Sequence, residues 1–225
     1  MGFAAVVFDL DGVLVESEHL WEENWVAYAA AHGVEWTAAD TATVQGMSAP
    51  EWAAYLAQRS GTPETPEQVE KAVVDGMIRS IANGEAPLLD GADAMVRDVA
   101  ARVPVALASS AARRVIDAVL ETHGLTGEFS ATVSSAEVPR GKPSPDVYAE
   151  AASRLGFRGE ECLGVEDSSN GIRAAAAAGL TVIALPNPTY PPKPDALELA
   201  ARIAESNHDV RKLLLAYLTG ELVRS

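Results

Sequence analysis

One cysteine, Cys162, stands in the 225 residues. Its solitude excludes an intramolecular disulfide and a cysteine-based zinc cluster, and inside an apolar segment it reads as a small buried hydrophobe. Cations are also scarce: 17 Lys and Arg face 32 Asp and Glu, for a net charge of −15. Nucleic acid and anionic membranes call for a basic face, so neither is an expected partner. No apolar run approaches the length that spans a bilayer. The first residues lack the basic stretch and small-residue cleavage site of a secretory leader, and a cytoplasmic location is the expectation. The few histidines do not cluster, and nothing repeats at a fixed period.

What is present suits a soluble globular chain, 48% hydrophobic and 22% charged. The length fits one large domain, or a core with a smaller insert. "AAVVFDL" reads as a short buried strand stopped at Asp11-Gly12. A helical pattern follows from Glu18 to about Ala31, with Leu20, Trp21, Trp25, Tyr28 and Ala29 at helical spacing and His32-Gly33 at its end. Further helices are predicted over Ala49–Gln58 and Pro66–Ile81, and no strand is expected between Ser17 and Asn83. That stretch looks like an inserted helical domain (17–83) within a core formed by 1–16 and 84–225.

Beyond residue 84 strands and helices alternate. "VPVALAS", "FSATVSS", "CLGVED" and "TVIAL" read as strands, with helices between them closed by Gly124, Gly156 and Gly179. "HDVRKLLLAYLTGEL" reads as a terminal amphipathic helix. Alternation of this kind predicts an α/β fold: a Rossmann-like parallel sheet with helices on both faces.

In such sheets ligands bind outside the carboxyl ends of the strands. The first strand ends on Asp9 and Asp11, the second on Ser109-Ser110 and the fourth on Glu166-Asp167, while "PRGKPSPD" brings Lys142 to the start of a helix. Alone, each is ordinary: an Asp-x-Asp turn, a serine cap, a surface lysine. Together, at successive strand ends, they make an oxygen-rich cup suited to Mg²⁺, which takes a few carboxylates and keeps several waters. An ion there would reverse the local charge and attract a phosphate in spite of the acidic surface.

"VVFDLDGVLVES", "ALASS", "RGKPSPDVY" and "GVEDSSNGIRAAAAAG" resemble the four motifs of the haloacid dehalogenase superfamily, in the branch of β-phosphoglucomutase and small sugar-phosphate phosphatases. The resemblance covers the whole chain and identifies the helical insert with that family's α-helical cap. It implies Asp9 as the nucleophile that forms an aspartyl-phosphate and Asp11 as the general acid and then base. It implies Mg²⁺ on Asp9, the backbone carbonyl of Asp11, and Asp167, with Glu166 joining directly or through water. Ser109 and the backbone N–H of Ser110 would take the phosphoryl oxygens, and Lys142 would offset charge between Asp9 and the phosphoryl group. Asp11 favours phosphoryl transfer over carbon–halogen cleavage, which needs no acid two residues on.

The cap turn "QGMSAPEW" carries Ala49 where the mutase holds an arginine for a second phosphate, and Trp21 where the mutase has a histidine. His19, two residues earlier, reads as a hinge-surface residue. Trp21, Gln45, Gly46 and Met47, with Trp52, are then expected beside the substrate. The expected function is Mg²⁺-dependent hydrolysis of a small phosphorylated metabolite, such as a sugar phosphate. A phosphoryl mutase and a non-catalytic binding protein of the same fold are the alternatives. A monomer is expected, with a dimer as the other possibility.

Overall fold

Valine-, alanine- and leucine-rich runs supply six strands: β1 (Ala5–Phe8), β2 (Val105–Ser109), β3 (Ala131–Ser134), β4 (Cys162–Glu166), β5 (Thr181–Ala184) and β6 (Arg202–Ile203). This computed structural model describes residues 2–44 and 47–222. The strands form one parallel sheet in the order β3-β2-β1-β4-β5-β6. The chain moves outward from β1 to β3, then returns to the other side of β1 and moves outward again. The order therefore reverses between β1 and β4, and such a switch point opens a crevice at the carboxyl edge. Asp9 follows β1 directly, and its amide donates to the Val165 carbonyl at 3.0 Å.

Four helices follow β1 in the chain: α1 (Glu18–Ala31), α2 (Ala38–Val44), α3 (Ala49–Ser60) and α4 (Pro66–Ala82). Then come α5 (Ala92–Ala100), α6 (Arg113–Thr122), α7 (Asp146–Arg154), α8 (Ser169–Ala177), α9 (Pro194–Leu197) and α10 (Asn207–Thr219). Successive strand residues point to opposite faces, and here both faces are buried. Val6, Phe8, Leu107, Leu163 and Val165 join a core with Met95 of α5, Ile116 of α6 and Leu214 of α10. Ala5, Val7, Ala106, Ala108 and Cys162 join the opposite core with Val147 and Ala151 of α7 and Ile172 of α8. The α/β reading with helices on both faces therefore holds, and burying each large aliphatic side chain contributes roughly 1.5–3 kcal/mol.

Four elements differ from expectation, the four-residue α9 among them. β6 is a two-residue edge strand, too short to carry a pattern, and its Ile203 is exposed. The seven-residue α2 and the nine-residue α5 fall in segments read as connections. Elsewhere, local signals set the boundaries. Pro66 opens α4 behind a Thr65/Gln68 capping box, in which the Gln68 amide donates to Thr65 Oγ1 and the Thr65 amide to Gln68 Oε1. Among the described residues, 17–83 contains no strand.

The helical stretch carries all four tryptophans. Trp25 lies with ring centroids 6.0 Å from Trp21, 6.0 Å from Trp52 and 6.1 Å from Trp36, and Trp36 meets Tyr55 edge-on at 5.9 Å. Beside them a buried carboxylate ties α2 to α3. Asp40 accepts from the Tyr55 hydroxyl (2.6 Å), Arg59 Nε (3.0 Å) and the Thr37 amide (2.9 Å) and hydroxyl (2.7 Å). The Tyr55 bond does most to hold Asp40 below the usual carboxylate range; burial opposes it, and Thr37 and Arg59 add to the lowering.

A carboxylate with a depressed pKa stabilises the fold above its unfolded value, near 4, and that contribution is lost as pH falls through the folded value. Asp40→Asn should therefore cost about 1–3 kcal/mol at neutral pH, by stranding the donors that Asp40 now satisfies. The deficit should shrink below about pH 4. Urea melts followed by tryptophan emission at several pH values measure both effects.

Candidate active site

The switch point gathers three buried carboxylates. One oxygen each from Asp9, Glu166 and Asp167 lie within 4.8 Å of one another. Lys142, itself buried, reaches two of them: Nζ donates to Asp9 Oδ1 at 2.7 Å and to Glu166 Oε1 at 2.6 Å. The Lys142–Pro143 peptide is cis. Tyr148, in the first turn of α7, adds a second support. Its hydroxyl donates to Glu166 Oε1 at 2.8 Å, and its ring lies 5.1 Å from Lys142 Nζ.

Glu166 is the most heavily engaged of the three. Its Oε2 accepts the Asp167 amide and the Ser168 amide and hydroxyl, at 3.0, 3.1 and 3.1 Å. With Oε1 held by Lys142 and Tyr148, Glu166 organises the cup from below. Asp167 is freer, accepting from the side-chain amide of Asn187 at 3.0 Å. The same Asn187 amide reaches Glu18 of α1 at 2.9 Å, which joins the carboxylate edge to the helical stretch.

Charge balance decides the electrostatics. Burial pushes the Asp9 carboxyl up to about 8; Lys142 pulls it down, and Glu166 and Asp11 push it further up. Burial, together with Glu166, Asp9 and Glu18, raises Asp167 well above the ordinary value. Burial works against the Lys142 ammonium, but Asp9 and Glu166 outweigh it and its pKa lies above that of a free lysine. One ammonium for three carboxylates leaves an all-oxygen site short of positive charge. A hard divalent cation fits that donor set.

Two glycines make the cup possible. A Cβ on Gly12, whose φ is +76°, would lie 1.9 Å from Asp167 Oδ2; one on Gly171 of α8 would lie 1.6 Å from Glu166 Oε1. Asp11 stands just before this turn. Its Oδ1 accepts from the Ser17 hydroxyl and, at 3.1 Å, from the Trp21 indole.

Above the carboxylates opens a cavity of about 470 Å³. Asp9, Asp11, Ser110, Lys142 and Asp167 border it on one side, and Trp21, Trp25, Met47 and Trp52 on the other. Among the residues singled out from sequence, Ser109 is placed differently. It has no exposed surface, and its Oγ accepts the Ala111 amide at 3.0 Å, because the chain turns into α6 directly after it. Ser110 and Ala111 form the cavity wall there. His19 is exposed and pairs with Glu16 at 3.0 Å. Gln45 and Gly46 lie outside the described residues.

Sequence reading missed Tyr148, Ser17, Glu18 and Asn187. Asn187 follows the end of β5, so the strand-end rule, carried one strand further, would have found it. Tyr148 lies within "RGKPSPDVY", but nothing in its spacing says that its hydroxyl turns inward.

A sequence profile of the haloacid dehalogenase-like hydrolases matches residues 3–179. The chain is 32% identical over 194 residues to hexitol phosphatase B of Escherichia coli K12, covering 82% of this chain and 84% of that protein. It is 32% identical over 186 residues to the bifunctional riboflavin kinase/FMN phosphatase of Arabidopsis thaliana; that match takes in 82% of this chain and 48% of the longer protein, so the chain spans about half of it. In three dimensions it resembles CbbY of Rhodobacter sphaeroides, crystallised with phosphate, with a TM-score of 0.83, 25% identity, and coverage of 92% of this chain and 96% of that one.

In metal-free protein, Asp9 holds a proton in the folded state, up to about pH 8, that the unfolded chain has lost above about pH 4. Rising pH therefore costs the folded state, by up to about 1.4 kcal/mol per pH unit for each such carboxyl. Urea melts in chelator at pH 5.5, 6.5 and 7.5 should show stability falling across the series; a flat or rising profile contradicts the geometry. Gly12→Ala should fold poorly, because the methyl group meets Asp167 and the turn needs a positive φ. A loss of about 3 kcal/mol or more is expected in the same assay.

Proposed function

This chain belongs to the haloacid dehalogenase-like hydrolases, and we propose that it is a Mg²⁺-dependent phosphatase of a small phosphorylated metabolite, sugar phosphates included. The observation that carries this reading is the Asp9–Lys142 pair at the foot of the cavity, 2.7 Å apart, with Asp167 beside it and Asp11 two residues on. Relatives that bear phosphatase names support the same reaction class.

In this reading Asp9 attacks phosphorus in line with the leaving oxygen and becomes an aspartyl-phosphate. Lys142 holds Asp9 in place and neutralises charge beside it. Asp11 gives a proton to the leaving oxygen, then takes one from the water that hydrolyses the intermediate. The Ser110 amide receives phosphoryl oxygens, and Ser109, whose Oγ accepts the Ala111 amide, holds the turn that presents it. Asp9, the Asp11 carbonyl and Asp167 would hold Mg²⁺; Glu166, saturated by its own donors, acts mainly by fixing Lys142 and the Asp167 backbone. When bound, the ion supplies positive charge for the phosphoryl oxygens. The helical stretch 17–83 serves as the cap: it covers the site and presents aromatic rings to the rest of the substrate, while excluding water.

A mutase must hold a second phosphate, and Ala49, at the place of the mutase arginine, is wholly buried and carries no charge. Hydrolysis is thus favoured over internal transfer.

Release of inorganic phosphate from p-nitrophenyl phosphate should require Mg²⁺ and be lost in chelator. Asp9→Asn should lower kcat by about a thousand-fold or more, with the melting curve retained. No turnover across a panel of phosphate monoesters would sink the proposal. Isomerisation of β-glucose 1-phosphate without phosphate release would establish the mutase instead.

A further inference from the structure

Asp11 is held by groups outside its own strand. Both donors to its Oδ1 come from the start of α1: Ser17 stands at the N-cap position with its hydroxyl turned to Asp11 rather than to the helix, and Trp21 lies one turn in. The two differ in one respect. A hydroxyl can turn round and accept, but an indole N–H can only donate. An oxygen that faces the indole therefore has to stay an acceptor in every protonation state of Asp11.

The indole is not free to move aside. Trp21 is 8% exposed and is wedged between Trp25 and Trp52, with ring centroids at 6.0 and 5.9 Å. Its Nε1 lies 3.1 Å from Asp11 Oδ1, and both residues border the cavity.

Resting on the phosphatase reading above, we infer that Trp21 is a positioning residue: it reserves Oδ1 of Asp11 as an acceptor, so that the proton for the leaving group sits on Oδ2. In the first step a bond forms from an Asp9 oxygen to phosphorus and the bond from phosphorus to the leaving oxygen breaks. The Oδ2 proton moves to that oxygen, giving a neutral alcohol and leaving Asp11 as a carboxylate. In the second step water attacks phosphorus, the Asp9–phosphorus bond breaks, and the water proton returns to Asp11. Proton and charge balance over the cycle, and the indole exchanges no proton.

The consequence is selective. An alkoxide leaves badly without a proton, whereas nitrophenolate leaves well without one. Trp21→Phe keeps an aromatic ring in the stack and removes the N–H together with part of the ring's bulk. On glycerol phosphate, kcat/KM, which reports the first step and not the hydrolysis common to both esters, should fall about ten- to a hundred-fold, part of the range that acid catalysis contributes. On p-nitrophenyl phosphate it should change by less than about three-fold. Trp21→Leu, a second variant without the N–H, should shift the two esters in the same sense and guards against a misfolded Trp21→Phe protein; melting curves establish that both are folded. Equal losses on both esters, or no loss on glycerol phosphate in either folded variant, overturn the inference. Wild-type protein that releases phosphate from neither ester overturns the phosphatase reading, and this inference with it.

Discussion

One buried ammonium makes the carboxyl edge of the sheet possible. Asp9, Glu166 and Asp167 meet where β1 and β4 lie side by side, and without a cation between them their mutual repulsion would add to the cost of burying each. Lys142 bonds two of them at once, and the Tyr148 ring and hydroxyl brace the arrangement from α7. A buried ion pair of this kind does not add much net stability, but removing one partner strands the other. The Glu166 oxygens are spent on holding Lys142, Tyr148 and the backbone of the next turn, so the negative charge left over belongs to Asp9 and Asp167. The raised pKa of both carboxyls is the mark of that shortage, and a divalent cation would supply the missing charge.

The same arrangement resolves the conflict between an acidic protein and an anionic ligand. The net charge is −15, yet Lys142, Arg173 and Lys193 all border the cavity. Asp9, Asp11, Glu18 and Asp167 line the same cavity, so attraction of an anion there would also need a cation in the cup, while the diffuse outer field is screened by salt within about 10 Å. On the opposite wall the tryptophans offer area rather than charge, which suits an uncharged part of a ligand. The fourth tryptophan serves the fold from behind that wall: Trp36, packed on Trp25, donates to Thr41 of α2 at 3.0 Å, and Thr41 to Glu22 at 2.9 Å.

Much of this was legible from sequence because it rests on local chemistry. Short apolar runs ending on polar residues gave β1, β2, β4 and β5, the polar endings gave Asp9, Asp11, Ser110, Glu166 and Asp167, and the proline-rich turn before a helix gave Lys142. β6 was illegible because two residues carry no period, and α2 because its alanine and threonine content has no clear apolar stripe. Within the site, what stayed hidden is what depends on orientation. The reach of Asn187 between Asp167 and Glu18 spans 169 positions of chain on one side. The inward turn of the Tyr148 hydroxyl and the saturation of Glu166 follow from packing, which no motif records. Trp21 was read as a substrate contact; its indole bond to Asp11 adds a role that composition and spacing could not suggest.

Asp9 and Asp11 are neighbours in sequence but take their positions from different sources. The Asp9 amide is bonded to Val165 of the sheet and its carboxylate to Lys142, so the core alone sets it. The carboxylate of Asp11 is set by Ser17 and Trp21, at the root of the helical stretch. The distance between the two carboxylates thus measures the registration of one half of the molecule against the other. The gap between them is a gauge: any shift of the helical stretch against the sheet would be read there first, in the spacing of two oxygen pairs.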